Sequence, residues 1–197
     1  MKPLPGNSKL AFTLVEVLGA LAIVVVLAVL LISGITRAVE TAQRSGCQAR
    51  MRNIHIAVSS YASDHNNCLP AALADSQAWP GRIASYLSRP ITKLDGETYC
   101  PATSVRKRDQ FQRDRATWRT DYTVNGNAMS NTESQNQVTS LSGKMVLLYD
   151  GGGGSRGSAG DARETARHFE KFNVIFIDGH IETLGTFDEH KDNWKKP

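Results

Sequence analysis

The sequence predicts an α+β protein in which one long N-terminal helix precedes a small antiparallel β-sheet head. Three observations carry that expectation. From Val17 to Thr36 no residue is charged, which matches the ~20 apolar residues a helix needs to cross a bilayer. From Arg37 to Asn66 there is no proline, and Met51, Ile54, Val58 and Tyr61 fall on one helical face. Beyond that, short β-compatible runs alternate with turn residues, as in "KMVLLYD" and "FNVIFIDGHIETLG".

Composition sets the bounds. A chain of 197 residues with 41% hydrophobic and 21% charged residues has room for one folded domain and an appendage. The formal net charge is +4, and Lys2 and Lys9, which lie in the first eleven residues, supply part of it. Without that tail the chain is close to neutral, so charge gives no reason to expect a nucleic-acid partner.

The elements follow in order. Lys2 and Lys9 precede the apolar run, and positive residues before a first span stay on the cytoplasmic side, which sends the rest of the chain outward. A secretory signal peptide has the same plan, but this run exceeds an ordinary h-region and no small-x-small cleavage site follows it. A plain signal anchor accounts for the length and the lysines. It leaves Glu16, at the front of the run, without a purpose, since a lone carboxylate facing lipid costs about 2.5 to 3.5 kcal/mol.

A single helix from about Phe12 to about Asp64 would be roughly 80 Å long at ~1.5 Å per residue. Gly46 is the one weak point between Arg37 and Asn66, and "DHNNCLP" ends the helix. In the head, "WPGRIASYL" predicts a short helix begun at Pro80, with Ile83 and Leu87 on one face. "ATWRTDYTVNG" predicts a strand running into a turn at Asn125-Gly126, and Gly151 to Thr165 reads as a flexible loop. Asp178-Gly179 predicts a two-residue type I′ hairpin between Asn173–Ile177 and His180–Leu184.

"KLAFTLVEVLGALAIV" resembles the N-terminal signal of type IV pilins and type II secretion pseudopilins. The head carries "RNIHIAVSSYASDHNNCLP", "YCPAT", "DYTVNGNA", "VLLYDGG" and "RHFEKFNVIFIDGHIETL" in the order found in a group of pilin-like proteins with a C-terminal H-x(9)-D-G signature, here His168 with Asp178 and Gly179. The resemblance implies a leader of residues 1–11 cut between Ala11 and Phe12, where the family usually has Gly at the position of Ala11. It implies N-methylation of Phe12 by a prepilin peptidase/N-methyltransferase, a membrane and filament-core segment at 12–36, an extracytoplasmic helix half at 37–66 and a head at 67–197. The implied partners are other pilin-like subunits and an inner-membrane assembly platform, and the implied location is the bacterial inner membrane with the head in the periplasm or outside the cell. Glu16 then pairs with the N-terminal ammonium of a neighbouring subunit, each charge satisfying the other in lipid.

Several polar residues have chemical readings beside the structural one. His168, Asp178, His180, Asp150 and Asp161 are metal-ligand types, and the resemblance adds calcium bound in a C-terminal loop of related pseudopilins. Calcium wants six to eight oxygens and zinc three or four close N, S or O ligands, and no such spacing is visible along the chain. The expectation is no cofactor, with His168 hydrogen-bonding across the sheet. No G-x-S-x-G elbow, Walker loop or H-E-x-x-H occurs, so the chain is not expected to be an enzyme. "RKRDQFQRDRATWR" mixes acids into its basic residues and reads as a solvated loop, not a nucleic-acid surface. Of Cys47, Cys68 and Cys100, at most two can pair within the chain. The resemblance favours Cys47 with Cys100; Cys68 with Cys100 and three free thiols stay open.

Two functions fit these residues. One is a structural pilin-like subunit that assembles into a pseudopilus or pilus, and the other is an unprocessed single-span anchor whose head binds a ligand outside the membrane.

Overall fold

A computed structural model describes residues 13–74, 77–88, 98, 100–102, 120–130, 137–151, 168 and 170–195. The leader positions Ala11 and Phe12, Asp161, the basic stretch 106–119 and most of the 151–165 loop lie outside the described residues.

One helix, α1, runs over Leu14–Asp64. The chain divides into two compact units, one ending at Val39 and the other beginning at Glu40. In the first unit the described helical side chains are exposed, from Leu14 to Val39. The most apolar window of α1 has a mean hydropathy of 3.0 and is 0% buried, so the helix is long and apolar enough to cross a membrane by length and composition.

The second unit is the α+β head. Its sheet is a four-stranded antiparallel meander of β3 (Tyr122–Val124), β4 (Val146–Asp150), β5 (Phe172–Phe176) and β6 (Ile181–Leu184), in that spatial order. The helical stripe read from sequence fills the core: Met51, Ile54, Val58 and Tyr61 cluster with Tyr122, Val124, Leu148 and Ile175. The opposite sheet face buries Val146, Tyr149, Phe172, Val174, Phe176 and Leu184 with Trp194. Trp194 closes a 3-10 helix, Phe187–Trp194, that opens on a Thr186/Glu189 capping box. Its carbonyl accepts hydrogen bonds from Asn125 Nδ2 at 3.1 Å and Asn127 Nδ2 at 2.8 Å. Strands β4 and β5 are buried on both faces, which is why they read as nearly unbroken apolar runs.

Irregularities in this frame position the polar groups. A register shift in β4 between Val146 and Leu148 breaks strict alternation. Downstream of it, Leu148 packs in the helix-side cluster and Tyr149 in the opposite one. Gly46, which sequence marks as a weakness of α1, has a packing reason: a Cβ there would stand 3.2 Å from Pro101 Cγ. The helix ends where Asn66 (φ 53°) and Asn67 (φ 59°) turn left-handed, with Asn67 N donating to Ala62 O at 2.8 Å. Asn tolerates that conformation better than most residues.

Two local expectations are revised, and one element is added. The helix expected from Pro80 is a four-residue turn, α2 (Trp79–Arg82), followed by a 3-10 turn at Ala84–Tyr86. A two-residue pair, β1 (Leu73–Ala74) with β2 (Gln77–Ala78), precedes it. The β5–β6 connection is not a type I′ turn. Gly179 alone is left-handed there, at φ 88°, and Asp178 has no positive φ. Gly179 N donates to Phe176 O at 2.9 Å and Phe176 N to His180 O at 3.0 Å. This is the pattern of a three-residue loop closed by a left-handed glycine, the other connection that Asp-Gly supports.

Candidate functional site

The residues that gather chemistry in the head come from four separate parts of the chain. Glu40 and Cys47 lie about two turns apart on α1, so their side chains leave the same helical face. Cys100 opens the Cys100-Pro101 segment, and Asp150 ends β4. His168 forms a tight reversal with Lys171 just before β5, closed by backbone hydrogen bonds of 3.1 and 2.9 Å, with Glu170 held at φ 60°.

His168 is fully buried and sits among these groups. Its Nε2 lies 3.2 Å from Asp150 Oδ2 and 3.5 Å from Cys100 Sγ. Its Nδ1 lies 3.3 Å from Glu40 Oε1. That last contact has ion-pair distance without hydrogen-bond alignment, and neither atom has a hydrogen-bond partner among the described residues. Asp150 is anchored by Asn173, whose backbone N donates to Oδ1 at 2.6 Å and whose Nδ2 donates to Oδ2 at 2.5 Å. Asn173 Oδ1 in turn accepts from Gln48 Nε2 at 3.0 Å and Thr183 Oγ1 at 2.8 Å. Burial pushes the Asp150 carboxyl above the usual carboxylate range, outweighing His168 and the Asn173 hydrogen bonds, which pull it down.

Cys47 and Cys100 are joined in a disulfide with Cα atoms 4.9 Å apart, while Cys68 is a free thiol. One ligand-type atom each from Cys47, Cys100, Asp150 and His168 lies within 4.8 Å of the others, and all four residues are buried. Set against known families, curated proteins and solved structures, the chain matches none.

The structure separates the two ends of the H-x(9)-D-G pattern. His168 belongs to the buried cluster, where it reaches from just before β5 to Asp150 at the end of β4 and also meets the Cys100 sulfur and Glu40. Asp178 and Gly179 belong to the β5–β6 loop. There the Asp178 carboxylate accepts from His180 N at 3.1 Å and contacts His180 Nδ1. Partial burial raises the Asp178 pKa, but its bonds to the His180 backbone and side chain outweigh that and hold it below the usual range. Gly179 faces His55: a Cβ would stand 2.9 Å from His55 Cε1. The His55 ring is fixed by a 2.9 Å hydrogen bond between its Nε2 and Ile177 O.

Glu16 occupies the first turn of α1. Glu16 N donates to Thr13 Oγ1 at 3.3 Å, and Thr13 N donates to Glu16 Oε2 at 3.2 Å. This reciprocal pair is a capping box. The T-x-x-E spacing that announces it is plain in "TLVE", and sequence reading passed over it in favour of the intermolecular role.

Sequence reasoning also missed Glu40 and Asn173 as partners of His168. A signal for Asn173 exists, because a polar residue in the middle of "FNVIF" must find partners if the strand is buried. Glu40 is not distinguishable in sequence from the other polar residues of α1.

Proposed function

We propose that the chain is a pilin-like structural subunit, cut before Phe12 by a prepilin peptidase and assembled through α1 into a type II secretion pseudopilus or a type IV pilus-like filament, with its head exposed outside the inner membrane. The observation that carries the reading is an apolar helical surface, 0% buried over its most hydrophobic window, interrupted by one carboxylate. Lipid covers such a surface before assembly, and neighbouring copies of the same helix cover it afterwards. Glu16 then supplies a directional contact in a surface that otherwise offers only non-directional packing.

The unprocessed single-span anchor is kept as a second reading because of the capping box. Thr13 gives Glu16 a local partner, so the carboxylate has a role that needs no neighbour.

Mass spectrometry of the protein from its native membrane separates the two. A chain beginning at methylated Phe12 is expected, and an intact Met1 in assembled material refutes the pilin reading. Two substitutions refine the role of Glu16. Glu16→Gln keeps the capping geometry, since Gln serves in a capping box as Glu does, but it removes the charge that pairs with an ammonium. Filament yield is expected to fall as far in Glu16→Gln as in Glu16→Val. Normal yield in the Gln variant with loss in the Val variant would reduce Glu16 to a helix cap.

A further inference from the structure

We propose that Cys47, Cys100, Asp150 and His168 form a latent site for a zinc-type divalent ion, closed while the disulfide is intact and opened by its reduction. The argument starts from the ligand set. Two cysteine sulfurs, an imidazole nitrogen and a carboxylate oxygen are the donors of a tetrahedral zinc centre. Here they come within 4.8 Å of one another in a buried setting. Bond lengths of about 2.0 to 2.3 Å to a central ion place such donors roughly 3.3 to 3.8 Å apart, so the cluster needs only modest side-chain rotation once the two sulfurs are free to separate.

The surroundings are those of a metal site as well. A metal-binding histidine characteristically gives its second nitrogen to a carboxylate, which fixes the ring and its tautomer. Glu40 Oε1 stands 3.3 Å from His168 Nδ1 and leaves Nε2 facing Asp150 and Cys100. Asp150 is itself oriented by two donors of Asn173, and Asn173 is held by Gln48 and Thr183. Each first ligand that is not a sulfur is therefore held from behind. Glu40 Oε1 and His168 Nδ1 are buried without a hydrogen bond among the described residues. A bound cation strengthens that contact by polarising the imidazole toward its Nδ1–H donor form.

The chemistry balances with an external dithiol as reductant. The Cys47–Cys100 S–S bond breaks, two electrons and two protons pass to the sulfurs, and the dithiol leaves as its own disulfide. A divalent ion then displaces the two thiol protons to solvent and is held by both thiolates, His168 Nε2 and an Asp150 oxygen. Exchange with an external disulfide reverses the sequence: that disulfide takes the two electrons and leaves as its dithiol, the Cys47–Cys100 bond re-forms and the ion is released to solvent, so the ion and the disulfide exclude one another.

The test uses the full chain in detergent, carrying Cys68→Ser so that the free thiol neither exchanges nor binds, with Co2+ as the spectroscopic probe and Zn2+ as its competitor. After reduction by a phosphine, one Co2+ per chain is expected, with thiolate-to-cobalt charge transfer and the intense visible bands of a tetrahedral ion; Zn2+ should displace it. The oxidised chain should show none of this. Glu40→Gln should keep the spectrum and weaken affinity by about 10- to 100-fold. His168→Gln and Asp150→Asn should each alter the visible bands. A reduced chain that keeps its near-ultraviolet dichroism yet takes up no Co2+ overturns the proposal. So do a head that unfolds on reduction with metal present, equal binding by the oxidised chain, charge transfer undiminished by Cys47→Ser, and visible bands unchanged by His168→Gln and Asp150→Asn.

Discussion

Replacing Gly179 with Ala separates two costs that the β5–β6 loop combines. The first is conformational, because Gly179 has φ 88°, where an L side chain is strained by about 1 to 3 kcal/mol. The second is steric. The new Cβ would stand 2.9 Å from His55 Cε1 and 3.2 Å from its Nδ1, so the ring must move. In moving it loses the 2.9 Å hydrogen bond to Ile177 O, a loss of about 0.5 to 1.5 kcal/mol. The sum is a destabilisation of about 2 to 4 kcal/mol, or a midpoint shift of roughly 1 to 3 M urea at ordinary slopes. The assay is urea unfolding of the oxidised full chain in a mild detergent, followed by fluorescence of the buried Trp79 and Trp194. Gly126→Ala serves as the control, since no atom lies within 4 Å of its added Cβ and its φ is not positive, and it should shift the midpoint little. His55→Ala is the second arm of a double-mutant cycle: with the ring gone, Gly179→Ala should cost only its conformational part. A Gly179→Ala midpoint within error of the unmodified chain, or a cost that His55→Ala leaves unchanged, would refute this account of the loop.

The remaining predictions concern charge and backbone. The Asp178 pKa is held below its ordinary value, so its stabilisation is present above about pH 4 and is lost as pH falls through the folded value; Asp178→Asn should flatten the acid limb of a stability-versus-pH curve, and an unchanged limb would show the His180 contacts to be inert. Glu170 sits at φ 60° without being glycine. Glu170→Gly should raise the urea midpoint by an amount equivalent to about 0.5 to 1 kcal/mol, and Glu170→Val should lower it, because only the first relieves the left-handed strain; the same sign for both would refute that.

The frame of the fold was legible because its signals are local. An uncharged run and a helical stripe need no knowledge of what lies opposite, and Met51, Ile54, Val58 and Tyr61 do line the core. The apolar strands β4 and β5 were visible for the same reason. Gly46 was misread because its cause is distant: helix propensity counts a glycine as a defect, and only the approach of Pro101 gives it a use. The loop at Asp178-Gly179 was legible as a hairpin and not as a class of hairpin, because the dipeptide suits two connections and the longer one sets Gly179 alone left-handed. The buried cluster was the least legible part. Its members lie as far apart as Glu40 and His168, so spacing along the chain carries no trace of their meeting.

The cluster also bears on how the head is stabilised. Closing a loop with a sequence separation of 53 between Cys47 and Cys100 is worth about 4 kcal/mol in the chain-entropy account, and apolar clusters line both faces of the sheet. A head with those two resources needs no buried carboxylate, and a buried ion pair is often no more stable than apolar residues of the same volume. Asn173 is bonded on both sides, donating from its backbone N and Nδ2 to Asp150 and accepting at Oδ1 from Gln48 and Thr183. His168 and Glu40 are not, since their 3.3 Å contact lacks hydrogen-bond alignment. Stability alone would favour removing the histidine or completing its bonds. An imidazole held by a carboxylate on one side, and facing two sulfurs and a second carboxylate on the other, is instead the arrangement a divalent ion requires. The unfinished hydrogen bonding of His168 is thus accounted for by the reduced state of the site, where an ion at Nε2 makes Nδ1 the donor to Glu40.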